Sequence, residues 1–133
     1  NAERREMSKT GPVRHLAPAD VKDGPDLTPR LTPHRVWRLA RTAAWLEGLD
    51  WTDRDASAMV RIAFKESSFD PKAQHPKSSA FGLYQFLDTT WAGTGIAKTD
   101  APARQTLAAV RYAALRYRTG RRTLAFHERE GYY

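Results

Sequence analysis

At 133 residues, with 41% hydrophobic side chains and four tryptophans, the chain can bury one real core but cannot hold two full domains. It has no Cys, which excludes disulfides, thiolate zinc sites and a cysteine nucleophile, and no run approaches the roughly 20 apolar residues of a bilayer span. The net charge of +7 is uneven: residues 101–133 carry seven Arg against two Glu, a surface suited to a polyanion such as nucleic acid, anionic lipid or an acidic wall polymer.

Residues 1–31 mix charges with Pro12, Pro18, Pro25 and Pro29 and have too little apolar surface to order themselves. They read as a flexible arm: a tether to something upstream, or a strap on the domain or a partner. The start Asn1-Ala2-Glu3-Arg4-Arg5 has no apolar signal core. Because it lacks an initiating Met, it reads as a processed product or fragment, so this is no argument for the cytoplasm.

The folded part, residues 32–133, is expected to be mainly α. Thr32 as N-cap and Pro33 at the first helical position open a first helix, whose inward stripe is Val36, Leu39, Ala43 and Leu46, flanked by Trp37 and Trp45; Gly48 ends it. A second helix starts at Thr52 or Asp53 and buries Ala56, Met59, Val60 and Ala63. Pro71 drives Asp70 out of the helical region, so this helix must stop between Glu66 and Phe69. Residues 74–90 read as a loop with a possible small hairpin, followed by a short helical turn near Thr90 and Trp91. A third long helix, with Pro102 in its first turn, turns Ala103, Leu107, Val110, Ala114 and Tyr117 inward and is closed by Thr119-Gly120; a last short helix covers about 122–129.

Chemistry concentrates at Glu66. It lies roughly 60° from Ala63 around the helix, on the margin of the apolar stripe. At the helix C-terminus the macrodipole and partial burial both disfavour an ionised carboxylate, and protonating a leaving oxygen requires an acid that still holds its proton. On position alone an exposed surface glutamate is the simpler reading; the neighbouring residues decide against it. Glu66-Ser67-Ser68-Phe69-Asp70-Pro71-Lys72-Ala73, followed by Ala80-Phe81-Gly82-Leu83-Tyr84-Gln85-Phe86, resembles the soluble lytic transglycosylase (SLT) family of the lysozyme superfamily. The likeness covers residues 33–133 and is closest in character to phage-virion and actinobacterial members. Asp88, where many members have Pro, and Phe126-His127, where many have Tyr-Asn, depart from the pattern.

The resemblance implies a lysozyme-like, goose-type helical domain with a loop or hairpin beside the cleft. It implies Glu66 as the catalytic acid and base, with Ser67, Gly82, Tyr84, Gln85, Phe126, His127 and Tyr132 as candidate sugar contacts and Phe69 and Pro71 structural. Gly82 would allow close backbone approach to substrate, and Gln85 could both donate to and accept from an acetamido sugar. Tyr84 is either a stacking platform or a core aromatic, and His127 either a packed residue or a sugar ligand. His75-Pro76-Lys77-Ser78 reads as a slightly lengthened loop at the cleft entrance.

The implied substrate is the peptidoglycan glycan strand, cut at the MurNAc-GlcNAc β-1,4 bond with formation of 1,6-anhydromuramic acid and without metal or cofactor. Hydrolytic glycosidases use two carboxylates, and here only Asp70, Asp88, Glu128 and Glu130 offer themselves as a second. The action would be extracytoplasmic or virion-associated, with residues 1–31 a possible link to a larger assembly. The rival readings are a muramidase of the same fold and a wall-binding or virion structural domain with an inactive site. A nucleic-acid-binding domain ranks last, there being no recognised motif for it.

Overall fold

The computed structural model describes residues 30–133 and contains five helices there: α1 Pro33–Leu46, α2 Asp53–Ser67, α3 Asp88–Thr94, α4 Pro102–Tyr117 and α5 Gly120–Glu130. The arm expected over residues 1–31 therefore lies, for 1–29, outside the described residues. Arg30 and Leu31 already belong to the fold: the Leu31 N–H donates to the Phe69 carbonyl at 3.0 Å, and Arg30 lies 3.9 Å from the Asp70 carboxylate. None of the described helices is long and apolar enough to cross a membrane.

Local signals explain where the helices begin and end. Thr32 accepts from the Arg35 N–H with Pro33 at the first position of α1, and Thr52 and Asp55 form a reciprocal capping box on α2. Ser68 and Phe69 both take positive φ, 52° and 68°, which ends α2 just ahead of Pro71. Between α2 and α3 the chain forms a tight loop with isolated bridges Gln74–Phe81 and Phe81–Phe86, so the possible hairpin is reduced to two contacts.

The core is built by α1 packed on both α2 and α4, and by α2 with α5. It differs from expectation in phase. In α1 the buried residues are Val36, Ala40, Ala43 and Ala44, while Trp45 and Leu46 are exposed. In α4 they are Gln105, Thr106, Ala108, Ala109, Val110 and Ala113, while Ala103 is exposed. A hydrophobic stripe cannot foresee that α4 buries two polar side chains.

Gly120 is a further correction. It does not close the third long helix, which ends in Arg118 at φ 76°; it opens α5, capped by Thr119. An added Cβ there would strike the Asp55 carbonyl group, 2.9 Å from its carbon, so glycine lets the start of α5 sit on the first turn of α2. The buried Asp55 carboxylate then serves both helices: it completes the α2 capping box and accepts from the Arg121 N–H at 3.1 Å and its Nε at 3.3 Å. Burial raises the Asp55 pKa, but these hydrogen bonds outweigh it and hold the carboxyl below its ordinary value.

Two outcomes follow. Gly120→Ala would ordinarily favour a helix; here it should cost about 2 kcal/mol through the backbone overlap, read from the urea midpoint. Arg111 grips Glu47 through two hydrogen bonds at 3.0 and 2.9 Å, tying α4 to the end of α1 and holding the Glu47 carboxyl below its ordinary value of 4.5. A depressed native pKa gives stability that is present above the unfolded value and lost as pH falls through the native one. Glu47→Gln should therefore flatten the fall in stability below about pH 5, measured by denaturation at stepped pH.

Candidate active site

Glu66 sits in the last turn of α2, directed inward beside Ile62 and Ala63, and is 5% exposed. Ser67, fully buried, donates its hydroxyl to the Ala63 carbonyl at 3.0 Å, and is therefore part of the helix rather than a sugar contact. Across from Glu66 stands His127 of α5, its Nε2 3.3 Å from Glu66 Oε2. His127 Nδ1 is buried without a hydrogen-bond partner among the described residues. Glu66 Oε1 likewise makes no hydrogen bond among the described residues.

The loop that follows α2 is tied together by the residues expected to bind sugar. Gln85, in a positive-φ conformation, donates its amide N–H groups to the Ala73 and Gly82 carbonyls at 2.9 and 3.0 Å, which leaves no donor for a substrate. Gly82, at φ 92°, donates its N–H to the same Ala73 carbonyl at 2.8 Å. A Cβ on Gly82 would run into the Gln105 amide, so its need for glycine comes from the protein interior rather than from a ligand. Tyr84 is 2% exposed and offers no face for stacking, and burial pushes its hydroxyl well above the ordinary tyrosine range. His75 is buried too, its Nδ1 accepting from the Lys77 N–H at 3.1 Å, which fixes the lengthened loop.

Gln105 gives no catalytic or hydrophobic signal in the sequence, yet it joins α4 to this loop. Its Oε1 accepts from the Leu83 N–H at 3.1 Å, and its Nε2 donates to the carbonyls of Pro71 and Thr99 at 2.7 and 2.8 Å. Tyr133 is a second such residue: its hydroxyl donates to the Tyr84 carbonyl while its ring packs 5.5 Å from that of His127 and 5.9 Å from Phe86. Phe126 and Tyr132 meet edge to face at 5.5 Å beside it, Tyr132 buried and Phe126 half-buried against Tyr117.

The possible second carboxylates are engaged elsewhere. Asp70 accepts from the Lys72 N–H in the turn after α2, Asp88 pairs with Lys98 at 2.9 Å, and Glu130 with Arg129 at 3.7 Å. Glu128 lines a groove of about 380 Å³ with Arg54, Arg61 and Arg121 on the outward side of the α2–α5 seam. A larger groove of about 430 Å³, near His34 and Trp37, also lies on the outward face of α2; Glu66 lines neither, and the chemistry rather than the size of a hollow marks the site. Among the described residues no group of three or more His, Asp or Glu could hold a metal ion.

The sequence motif led us to expect an acid at the end of a helix, with Gly82 and Gln85 as sugar contacts; in the structure Gly82 and Gln85 pin the loop that follows it. The family model described as the transglycosylase SLT domain matches residues 45–125. The chain belongs to that family. The SLT domain here is mainly helical and lysozyme-like, and the family match ends just before Phe126 and His127. Two curated relatives from Staphylococcus saprophyticus, the probable transglycosylases SceD 3 and SceD 1, are each 44% identical over 62 residues, 41% of this chain and 26% of theirs. The chain thus spans about a quarter of the length of the relatives it matches. No solved structure matches it.

Replacing Gln105 by Leu in the SLT domain would leave the Leu83 N–H and two carbonyls without their partner. It should cost about 3 kcal/mol, measured as a lowered urea midpoint with an unchanged slope.

Proposed function

We propose that this SLT domain is a lytic transglycosylase that cuts the MurNAc-GlcNAc β-1,4 bond of peptidoglycan, with Glu66 as its acid and then its base. The observation that carries this reading is Glu66 itself, a 5% exposed carboxylate at the end of α2, while Asp70, Asp88 and Glu130 are engaged by the Lys72 N–H, Lys98 and Arg129. A hydrolase needs a second carboxylate to activate water or to attack the sugar, and a transglycosylase does not.

The steps balance with one residue. Glu66 gives its proton to the glycosidic oxygen, the bond from that oxygen to the muramic acid C1 breaks, and GlcNAc leaves with a free 4-hydroxyl. The muramic acid's own 6-hydroxyl then attacks C1 and returns its proton to Glu66, closing the 1,6-anhydro ring. No water is consumed. The neighbouring acetamido group stabilises positive charge at C1, and the shielded site strengthens every interaction with that charge. Half-buried Phe126 is the best placed of the expected sugar contacts, since Ser67 is bonded within α2 and Gly82, Tyr84 and Gln85 are turned to the protein's interior.

Such a substrate implies action in the periplasm, in the wall or on a virion, with residues 1–31 as the link to a larger assembly. The basic surface suits a wall rich in anionic groups: the first 29 residues hold equal numbers of acids and bases, so the whole +7 lies on residues 30–133.

The test is digestion of purified peptidoglycan with the wild-type chain and with Glu66→Gln. Wild type should release anhydromuropeptides, and the variant should lose at least about a thousandfold in rate while keeping its circular dichroism and melting curve. Products heavier by one water would identify a muramidase, and binding without any product an inactive wall-binding domain.

A further inference from the structure

We infer that His127 is a positioning residue for Glu66: it stands as the Nε2–H tautomer, holds Oε2 as an acceptor, and so puts the transferable proton on Oε1. This rests on the reading of Glu66 as the acid. The two side chains are 10% and 7% exposed, and their only polar contact with each other is Nε2 to Oε2 at 3.3 Å. The other ring nitrogen, Nδ1, is buried and has no hydrogen-bond partner among the described residues, and the ring is packed against that of Tyr133 at 5.5 Å. Histidines at reactive sites usually have their tautomer fixed by a hydrogen bond at the second nitrogen. Here nothing at Nδ1 fixes it, so the choice falls to the contact with Glu66.

The two tautomers are not equivalent. With the proton on Nδ1, a buried N–H lacks an acceptor, which is the rarer and costlier defect in proteins. The bare Nε2 would then draw the Glu66 proton onto Oε2, against the imidazole and away from Oε1. Once that proton left, two lone pairs would face each other. With the proton on Nε2, the only unsatisfied group is a lone pair at Nδ1. Oε2 accepts from Nε2–H whether Glu66 is neutral or ionised, and the acid proton is left on Oε1, the oxygen with no hydrogen bond among the described residues.

This arrangement also has the right dependence on reaction progress. A hydrogen bond to a carboxylate is shorter and roughly twice as strong as one to a neutral acid. The Nε2–H to Oε2 bond would therefore strengthen as the proton passes to the glycosidic oxygen, stabilising the transition state more than the ground state. At 3.3 Å it lies at the long edge of the range and has room to shorten.

The test reads the tautomer directly. In the ¹⁵N-labelled full chain at neutral pH, long-range proton–nitrogen spectra should show His127 Nε2 protonated and Nδ1 bare. A protonated Nδ1 would overturn the proposal. So would an imidazolium, since Glu66 would then be ionised with no proton to give. Kinetics on peptidoglycan supply the second arm: His127→Leu should lower kcat about 10- to 100-fold with KM within about twofold. His127→Gln, which can still donate an N–H, should recover part of that loss. An unchanged kcat, or a raised KM with kcat intact, would make His127 a structural or sugar-binding residue instead. If the wild type cleaves no glycan, the proposed function fails by itself, and the NMR assignment still decides whether the pair is built as described.

Discussion

One buried carboxylate sets the geometry on which the site depends. Asp55 caps its own helix through Thr52 and accepts from the Arg121 N–H in the first turn of α5, so the N-terminal turns of α2 and α5 share one anion. Each turn presents unsatisfied N–H groups and the positive end of a dipole, and a single ionised side chain answers both. The helices then run on from this junction. Asp55 and Glu66 are three turns apart on α2, and Gly120 and His127 two turns apart on α5, each pair returning to nearly the same face. Contact at the first pair, made possible by Gly120, brings the second pair together.

The opposite wall is held by side chains that satisfy backbone rather than bind ligand. Gln105 meets three loop groups from α4, Gln85 closes the loop on itself, and Tyr133 fastens the C-terminal segment to Tyr84. Loops cannot normally be buried, because their backbone groups need partners. Here two glutamine amides supply those partners, and the segment can lie against the core beside Glu66 without opening to water. The SLT motif residues thus divide by placement: Glu66 meets His127, while Ser67, Gly82 and Gln85 bond to the protein's own backbone.

Much of the fold was legible because it rests on local signals. The caps at Thr32 and Thr52, the prolines at 33 and 102 and the stop before Pro71 all act within a few residues, and each has its observed counterpart. The helix faces were less legible. Trp45 and Leu46 continue an apolar stripe that the protein does not bury, while Gln105 and Thr106 are buried although polar. Periodicity records the average preference of residue types, and it cannot register a polar side chain whose partners lie 22 or 34 residues away.

The sequence by itself determined the helical class, the ends of most helices, the family and the place of Glu66 at the end of α2, because each depends on nearest neighbours or on a contiguous motif. Only the tertiary structure decided what surrounds that acid. Ser67, Gly82, Tyr84 and Gln85 face inward, and His127 meets Glu66 from 61 residues away, because side-chain direction follows from helix packing and from which buried groups still need a hydrogen bond.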